Sequence, residues 1–254
     1  MIKVIVNGAL GRMGSEVVKK IQAEEDLELA GAIDIKDGEL QGGVTVTTDL
    51  LGAIEAQKPD VLVDFTRPNV VMDTLRKVIP TGTACVVGTT GFSQADLAEL
   101  DKLARQYWTG ILVAPNFSLS AVVMMQMAAM AAKYFQDVEI IEKHHDKKLD
   151  APSGTALLTA QLIAKSRKEH KQGHPDEKET LAGCRGGDFE GLKIHSLRLP
   201  GYVASQEVIF GGQGETLHIS SDPVNRECYM PGVALACREI RKHQGLVYGL
   251  DKLL

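Results

Sequence analysis

The sequence predicts an α/β protein of two domains: a doubly wound parallel sheet, then an α+β domain with a mixed, mainly antiparallel sheet. Three observations carry this. β-rich segments alternate with helical ones from residue 2 to about residue 114, the pattern of a parallel sheet with helical crossovers. A glycine-rich turn joins the first strand to the first helix. From residue 194 to about residue 220 no helix intervenes, and three β-rich segments follow one another across Pro-Gly and Gly-rich turns.

At 254 residues the chain can hold one large or two modest domains, each with a core. Hydrophobic content of 44% with 24% charged residues is that of a soluble globular protein. A net charge of -5 and a pI near 5.8 give no general attraction to nucleic acid or to an anionic membrane surface. The longest nearly apolar run, Ala121 to Ala132, is interrupted by Gln126 and is too short to span a bilayer, so a buried helix is expected there. Met1 leads straight into a strand without signal-peptide architecture. Cys85, Cys184, Cys228 and Cys237 are scattered, which suits reduced thiols in the cytoplasm, with Cys85 in the core.

Taken in order, Ile2-Lys-Val-Ile-Val is an apolar strand, Asn7 to Gly11 a tight turn, and Arg12 to Gln22 a helix with Met13, Val17, Val18 and Ile21 inward. A second strand, Leu27 to Ile33, ends in Asp34, about twenty residues beyond the last glycine. Gly8, Gly11 and Gly14 follow a G-x-x-G-x-x-G spacing, a Rossmann-like variant of the dinucleotide fingerprint. Gly8 and Gly11 let the backbone approach a pyrophosphate at the helix start. The Asp34 carboxylate suits a ribose diol and repels a 2'-phosphate unless Arg12 or Lys36 compensates. Asp60 to Phe65 is a strand, Pro68 sits in the first turn of the next helix, and Thr83 to Val87 is a strand. Ser93 caps a helix running to about Tyr107, and Ile111 to Ala114 is a further strand. Ligands bind at the carboxyl ends of such strands. Those ends carry Phe65-Thr66-Arg67, Gly88-Thr89-Thr90 and Ala114-Pro115-Asn116-Phe117.

The second half opens with a helix from Leu119 to Lys133, whose methionines, Met124, Met125, Met127 and Met130, read as core filler. The densest chemistry follows, in Glu142-Lys-His-His-Asp-Lys-Lys-Leu-Asp-Ala-Pro-Ser-Gly-Thr155. A strand over Val138 to Glu142 precedes it, and a helix with Leu158, Leu162 and Ile163 on one face succeeds it. Ser153 is a candidate N-cap, leaving the amides of Gly154, Thr155 and Ala156 outward at a positive helix end that binds carboxylate or phosphate. Lys147 and Lys148 add cations, and His144 and His145 exchange protons near neutral pH. The stretch therefore describes a pocket for a small anion whose chemistry needs a proton. Consecutive strand residues point to opposite faces, so His144 and His145 do not grip one ion, and no metal is expected. Residues 171 to 193 form a long polar loop, with His170 and His174 as surface residues. The three late strands are Ile194 to Leu199, Ser205 to Phe210 and Glu215 to Ser220, and a last helix spans Pro231 to His243.

The run Glu-x-His-His-x-x-Lys-x-Asp-Ala-Pro-Ser-Gly-Thr resembles that of the 4-hydroxy-tetrahydrodipicolinate reductases, the dihydrodipicolinate reductase family, and Gly8-Ala9-Leu10-Gly11-Arg12-Met13-Gly14 resembles the glycine loop of that family. The resemblance covers almost the full chain and is weakest over 36–58 and 167–192. It implies NADH- or NADPH-dependent reduction of a small cyclic dicarboxylate in lysine and diaminopimelate synthesis. By the same match, His144 is the catalytic acid and Lys148 a second proton donor or charge stabiliser. His145, Gly154, Thr155, Thr90 and Arg226 contact substrate. The glycine loop, Asp34 and the three strand-end segments hold the cofactor. Where the family often carries Arg or Lys after the acid, this chain has Ile35, which points to NADH or dual use. The resemblance further implies a discontinuous cofactor domain over 1–116 and 227–254, a substrate and oligomerisation domain over 117–226, and a homotetramer. A non-catalytic nucleotide sensor would account for Gly8 to Asp34 but leaves the histidines and lysines without work. A hydrolase lacks a Gly-x-Ser-x-Gly elbow.

Overall fold

The computed structural model describes every residue of the chain except Gln41. In chain order the elements are β1 (Ile2–Asn7), α1 (Gly14–Ala23), β2 (Leu27–Ile33), β3 (Gly38–Leu40), β4 (Val44–Thr47), α2 (Leu50–Gln57), β5 (Val61–Asp64), α3 (Pro68–Val78), β6 (Ala84–Val87), α4 (Gln94–Gln106) and β7 (Gly110–Val113). Then come α5 (Leu119–Ala131), β8 (Asp137–His144), α6 (Gly154–Ser166), β9 (Gly187–Phe189), β10 (Leu192–Arg198), β11 (Ala204–Gly212), β12 (Glu215–Ser221), α7 (Met230–Glu239) and β13 (Gly245–Tyr248). Two compact units result, Met1–Phe117 with Arg226–Leu254, and Ser118–Asn225. Phe117 and Arg226 thus group with the first unit, one residue from the expected boundaries.

The first unit is built on an eight-stranded sheet in the order β13-β7-β6-β5-β1-β2-β4-β3, parallel except for β3. Strands β5, β6 and β7 are buried at every residue, as strands covered on both faces must be. On one face Val71 and Leu75 of α3 and Leu100 and Ala104 of α4 pack on Ile5, Leu62, Cys85 and Val87. On the other lie α1, through Val17, Val18 and Ile21, and α7, through Val233 and Cys237. Local chemistry sets the helix starts. Ser93 and Asp96 form a reciprocal capping box, and Pro68 occupies the first position of α3, where a missing N–H costs nothing. Helix α1 begins at Gly14, two residues later than expected. Gly8 stands at φ 83° and accepts from the Gly11 amide, so the turn consumes Arg12 and Met13 before regular helix begins. Four short strands were left out by the sequence reading: β3, β4 and β13, at or next to the edges of this sheet, and β9 of the second unit, which lies inside the expected 171–193 loop.

The second unit carries a five-stranded sheet, β12-β11-β8-β10-β9, in which only β8 and β10 run parallel. Its helix-covered face is formed by Val138, Ile140, Val208 and Phe210. Two expectations are corrected here. Helix α5 buries Val122, Met124, Met125 and Ala128 but leaves Val123, Met127 and Met130 at 43%, 45% and 59% exposure, so half its methionines are surface rather than core. An apolar run without periodicity does not reveal which side faces out. The buried side of α6 is Ala156, Thr159, Ala160 and Ile163, with Leu158 and Leu162 only half-buried, because small residues let this helix approach α5 and the sheet. Residues 171 to 193 are tied down by Arg185, which pairs with Glu139 at 2.7 Å and Glu177 at 2.5 Å, and His195 also bonds Glu139 at 2.7 Å. His174 is exposed, while His170 is half-buried beside Asp137.

The close fit of α1 on the glycine turn is testable. A Cβ on Gly14 would strike the Gly8 carbonyl, which is backbone and cannot swing aside. Gly14→Ala should therefore destabilise the protein by about 1–3 kcal/mol despite the better helix propensity of alanine, read as a lower midpoint in denaturant unfolding without ligand.

Candidate active site

In the first unit the predicted cofactor residues collect at the carboxyl ends of five adjacent strands. Backbone hydrogen bonds continue past the strand ends: Gly8 and Ala9 donate to Ile33, Phe65 to Asn7, Gly88 to Asp64, and Ala114 to Val87. Gly8 is buried, and a Cβ there would lie 2.6 Å from the Phe65 carbonyl oxygen, so only glycine fits both the space and the positive φ. Gly11 and Arg12 are exposed at the mouth of this loop, and Leu10 and Met13 are half-buried. Asp34 is fixed from two sides, its Oδ2 accepting from the Leu10 amide at 2.8 Å and its Oδ1 from Ile35 at 2.7 Å. Ile35 itself is 85% exposed, and Lys36 is exposed beside it.

One residue the sequence reading missed organises this edge. Asp64 is 0% exposed. Its Oδ1 accepts from the Thr66 amide at 3.1 Å, the Thr66 hydroxyl at 2.8 Å and the Thr89 hydroxyl at 2.9 Å. Its Oδ2 accepts from Asn7 Nδ2 at 2.8 Å. Three successive loops are thereby held on one carboxyl group. Phe65 packs against Gly88 and, with ring centroids 5.6 Å apart, against Phe117. Thr89, Ala114 and Phe117 are buried and Asn116 half-buried, while Arg67, Thr90 and Pro115 are exposed. An acid closing an otherwise apolar strand, Val61-Leu-Val-Asp64, was the available signal.

In the second unit the fourteen-residue stretch folds as a strand end, a turn and a helix start. Strand β8 extends to His144, two residues beyond expectation, and Ser153 caps α6, its hydroxyl accepting from the Ala156 amide at 3.2 Å. Gly154 is exposed, and Thr155 is half-buried. The centre of the cluster is Glu142, whose side chain is 0% exposed. His144 Nδ1 lies 2.5 Å from its Oε2, Arg198 reaches both oxygens at 2.7 and 2.9 Å, and the Ser153 amide donates to Oε1 at 3.2 Å. Burial alone would push the Glu142 carboxyl up, but hydrogen bonds from His144, Arg198 and Ser196 outweigh it and hold the group at about 2. Arg198 also donates to the Asp150 carbonyl at 2.8 Å, and the Asp150 carboxylate holds Lys148 Nζ at 2.7 and 2.9 Å. His145 and Lys147 are exposed on the turn.

One hydrogen-bonded network thus joins His144, Lys148 and the start of α6. Arg226 is not part of it: it is exposed, in the 3₁₀ turn Arg226–Tyr229 that precedes α7, within the first unit. Glu142 and Arg198 were given no role from the sequence. The signal for Glu142 was its place on the same strand face as Val138 and Ile140. Arg198 comes from a strand 56 residues away, and nothing local announces it. Among the described residues no group of three or more His, Cys, Asp or Glu could hold a metal ion, and no helix is long and apolar enough to cross a membrane.

Comparison with known proteins agrees across the whole chain. The family model described as dihydrodipicolinate reductase, N-terminus, matches residues 2–117, and the model described as dihydrodipicolinate reductase, C-terminus, matches residues 120–254. The chain is 49% identical to the 4-hydroxy-tetrahydrodipicolinate reductase of Shouchella clausii, covering 100% of both chains. It is 51% identical to that of Geobacillus kaustophilus, covering 100% of this chain and 99% of the relative. Among solved structures, the dipicolinate-bound dihydrodipicolinate reductase from Paenisporosarcina sp. TG-14 superposes with a TM-score of 0.94 at 44% identity over 100% of both chains. An amine dehydrogenase from Mycobacterium smegmatis, at 16% identity and a TM-score of 0.66, shares the fold alone. The sequence motifs, the two sheets and these matches converge: the chain belongs to the dihydrodipicolinate reductase family of nicotinamide-dependent oxidoreductases.

Proposed function

We propose that this chain reduces (2S,4S)-4-hydroxy-2,3,4,5-tetrahydrodipicolinate to tetrahydrodipicolinate in lysine and diaminopimelate biosynthesis, consuming NADH or NADPH and a proton and releasing water. The observation that carries the reading is the network around Glu142, which ties an imidazole, an ammonium group and a capped helix start together in one unit. That dipicolinate, a planar dicarboxylate, is bound in the Paenisporosarcina relative supports the substrate class.

The residues divide the work as follows. The amides of Gly154 and Thr155, the Thr155 hydroxyl and Lys148 take one substrate carboxylate at the positive end of α6. Lys148 is engaged by Asp150 in the free protein, but Asp150 is 63% exposed, and an ion pair of that kind is worth only about 0–1 kcal/mol, so a substrate carboxylate can replace it. His145, Thr90 and Arg226 contribute further substrate contacts. When bound, the reduced nicotinamide supplies the hydride. The 4-hydroxyl leaves with a proton of the neighbouring ring carbon as water, which makes the ring conjugated. Hydride addition to that ring leaves an electron-rich enamine that must take up a proton, and His144 delivers it from Nε2 while Nδ1 stays bonded to Glu142.

For the cofactor, residues 8–13, Asp34, the 65–67 and 88–90 segments and residues 114–117 form the seat, a fit supported by the space that only glycine leaves at position 8. The ribose diol meets the Asp34 carboxylate, and the exposed Ile35 offers no charge to a 2'-phosphate, which favours NADH. The bare face of the second unit's sheet carries Ile141, Leu197 and Ile209 half-buried, which supports a homotetramer assembled through that unit. The protein works in the cytoplasm, with all four cysteines as thiols.

Absorbance at 340 nm with enzymatically generated substrate tests the activity: the reduced cofactor is consumed, whereas a nucleotide sensor would leave it intact. His144→Ala should lower turnover by about 10²–10⁴-fold with cofactor affinity unchanged, and undiminished turnover would remove His144 from the proton step. Ile35→Arg should strengthen NADPH binding by about tenfold or more while leaving NADH binding within about twofold, titrated separately by calorimetry.

A further inference from the structure

We infer that Glu142 is the positioning residue for proton delivery: it fixes the direction of the His144 ring and seats the start of α6 with the same carboxylate. The inference deepens the proposed reaction and rests on the reading of His144 as the acid.

A carboxylate only accepts, so the short contact to His144 Nδ1 places a hydrogen on that nitrogen and leaves Nε2 as the atom that gains and loses the transferred proton. Residues 142 and 144 are two apart on one strand and share a face, which makes the contact available without distorting the backbone. The carboxylate cannot turn away. Arg198, opposite His144 in the strand register, grips both oxygens through its planar fork and is itself tied to the Leu197 and Asp150 carbonyls. Oε1 meanwhile takes the amide of Ser153, whose hydroxyl caps α6. One group therefore registers the proton donor against the helix end that receives the substrate carboxylate. The charged or titratable groups joined to this network or carried on its turn are Arg198 from β10 and His145, Asp146, Lys147, Lys148 and Asp150 from the turn.

The alternative is a buried ion pair that serves stability alone, and the two differ in kinetics. In the full-length enzyme, Glu142→Gln keeps the shape and removes the charge. Turnover should fall by about tenfold or more, a share of the 10²–10⁴-fold that general acid catalysis supplies, with the KM for NADH unchanged. The solvent deuterium isotope effect on kcat should rise as the proton step becomes limiting. In the His144→Ala background the same change should cost no more than about twofold, because residues acting as a unit are not additive. Turnover of Glu142→Gln within about twofold of the parent, or losses that multiply in the double variant, overturns the inference while leaving His144 as the acid. Unimpaired His144→Ala removes the acid itself and the inference with it. Should Glu142→Gln fail to fold, Glu142→Asp, which keeps the charge but withdraws it by one methylene, is held to the same outcomes.

Discussion

A carboxyl group taken out of water must be given hydrogen-bond donors, and that requirement organises both units of this chain. Leaving a buried polar group unmatched costs about 1–3 kcal/mol, and more for a charge, a sizeable part of a domain's whole stability. Asp64 meets the requirement with donors from three loops, and Glu142 with a guanidinium, an imidazole and a helix-cap amide. In each case one donor is a near neighbour and another comes from a segment far away in sequence, Asn7 and Thr89 for Asp64 and Arg198 for Glu142. The group that demands them therefore registers those segments against one another to within hydrogen-bond tolerance, which apolar packing alone, being non-directional, does not do.

The same logic explains why the cofactor edge is built as it is. Parallel strands end together, and their loops expose backbone groups to whatever binds there. Glycine 8 brings the first loop against Phe65, and Phe65 in turn covers Gly88 and meets Phe117. Asp64 holds the polar side of these loops and the aromatic pair the apolar side. Asp34 adds a further tie, because its carboxylate spans the glycine loop and its own strand end. The loops are joined to one another before any ligand arrives, which reduces the ordering that binding would otherwise require.

Much of this was legible in the sequence where the determinant is local. The Ser93–Asp96 capping box, Pro68 at the first turn of its helix and the Ser153 cap are each set by residues within a few positions, and each was read correctly. Alternation of apolar strands with helices gave the parallel sheet, and the three late strands gave the mixed one. What escaped was non-local or too short to be periodic. Strands β3, β4, β9 and β13 run only three or four residues. The exposed side of α5 is invisible in a run that is apolar all round. In the proposed site, His144 and Lys148 are nominated by residue type, whereas Glu142 and Arg198 acquire meaning only when β10 is laid beside β8.

The network around Glu142 also separates two kinds of ion pair with different duties in the proposed reaction. The Glu142–Arg198 pair is shielded, bidentate and further bonded at both ends, so removing either partner strands a buried charge. Such a pair stays fixed through turnover. The Lys148–Asp150 pair sits at the solvent edge with one partner mostly exposed, where water competes for both charges. It can open and re-form at little cost, which in the proposed reaction frees the ammonium group for a substrate carboxylate. Arg198 bonds the Asp150 backbone carbonyl rather than its carboxylate, so the exchange at the side chain leaves the rigid part of the network untouched. Rigid where a proton must be aimed and loose where a charged substrate must come and go, the two pairs are joined at a single residue, Asp150.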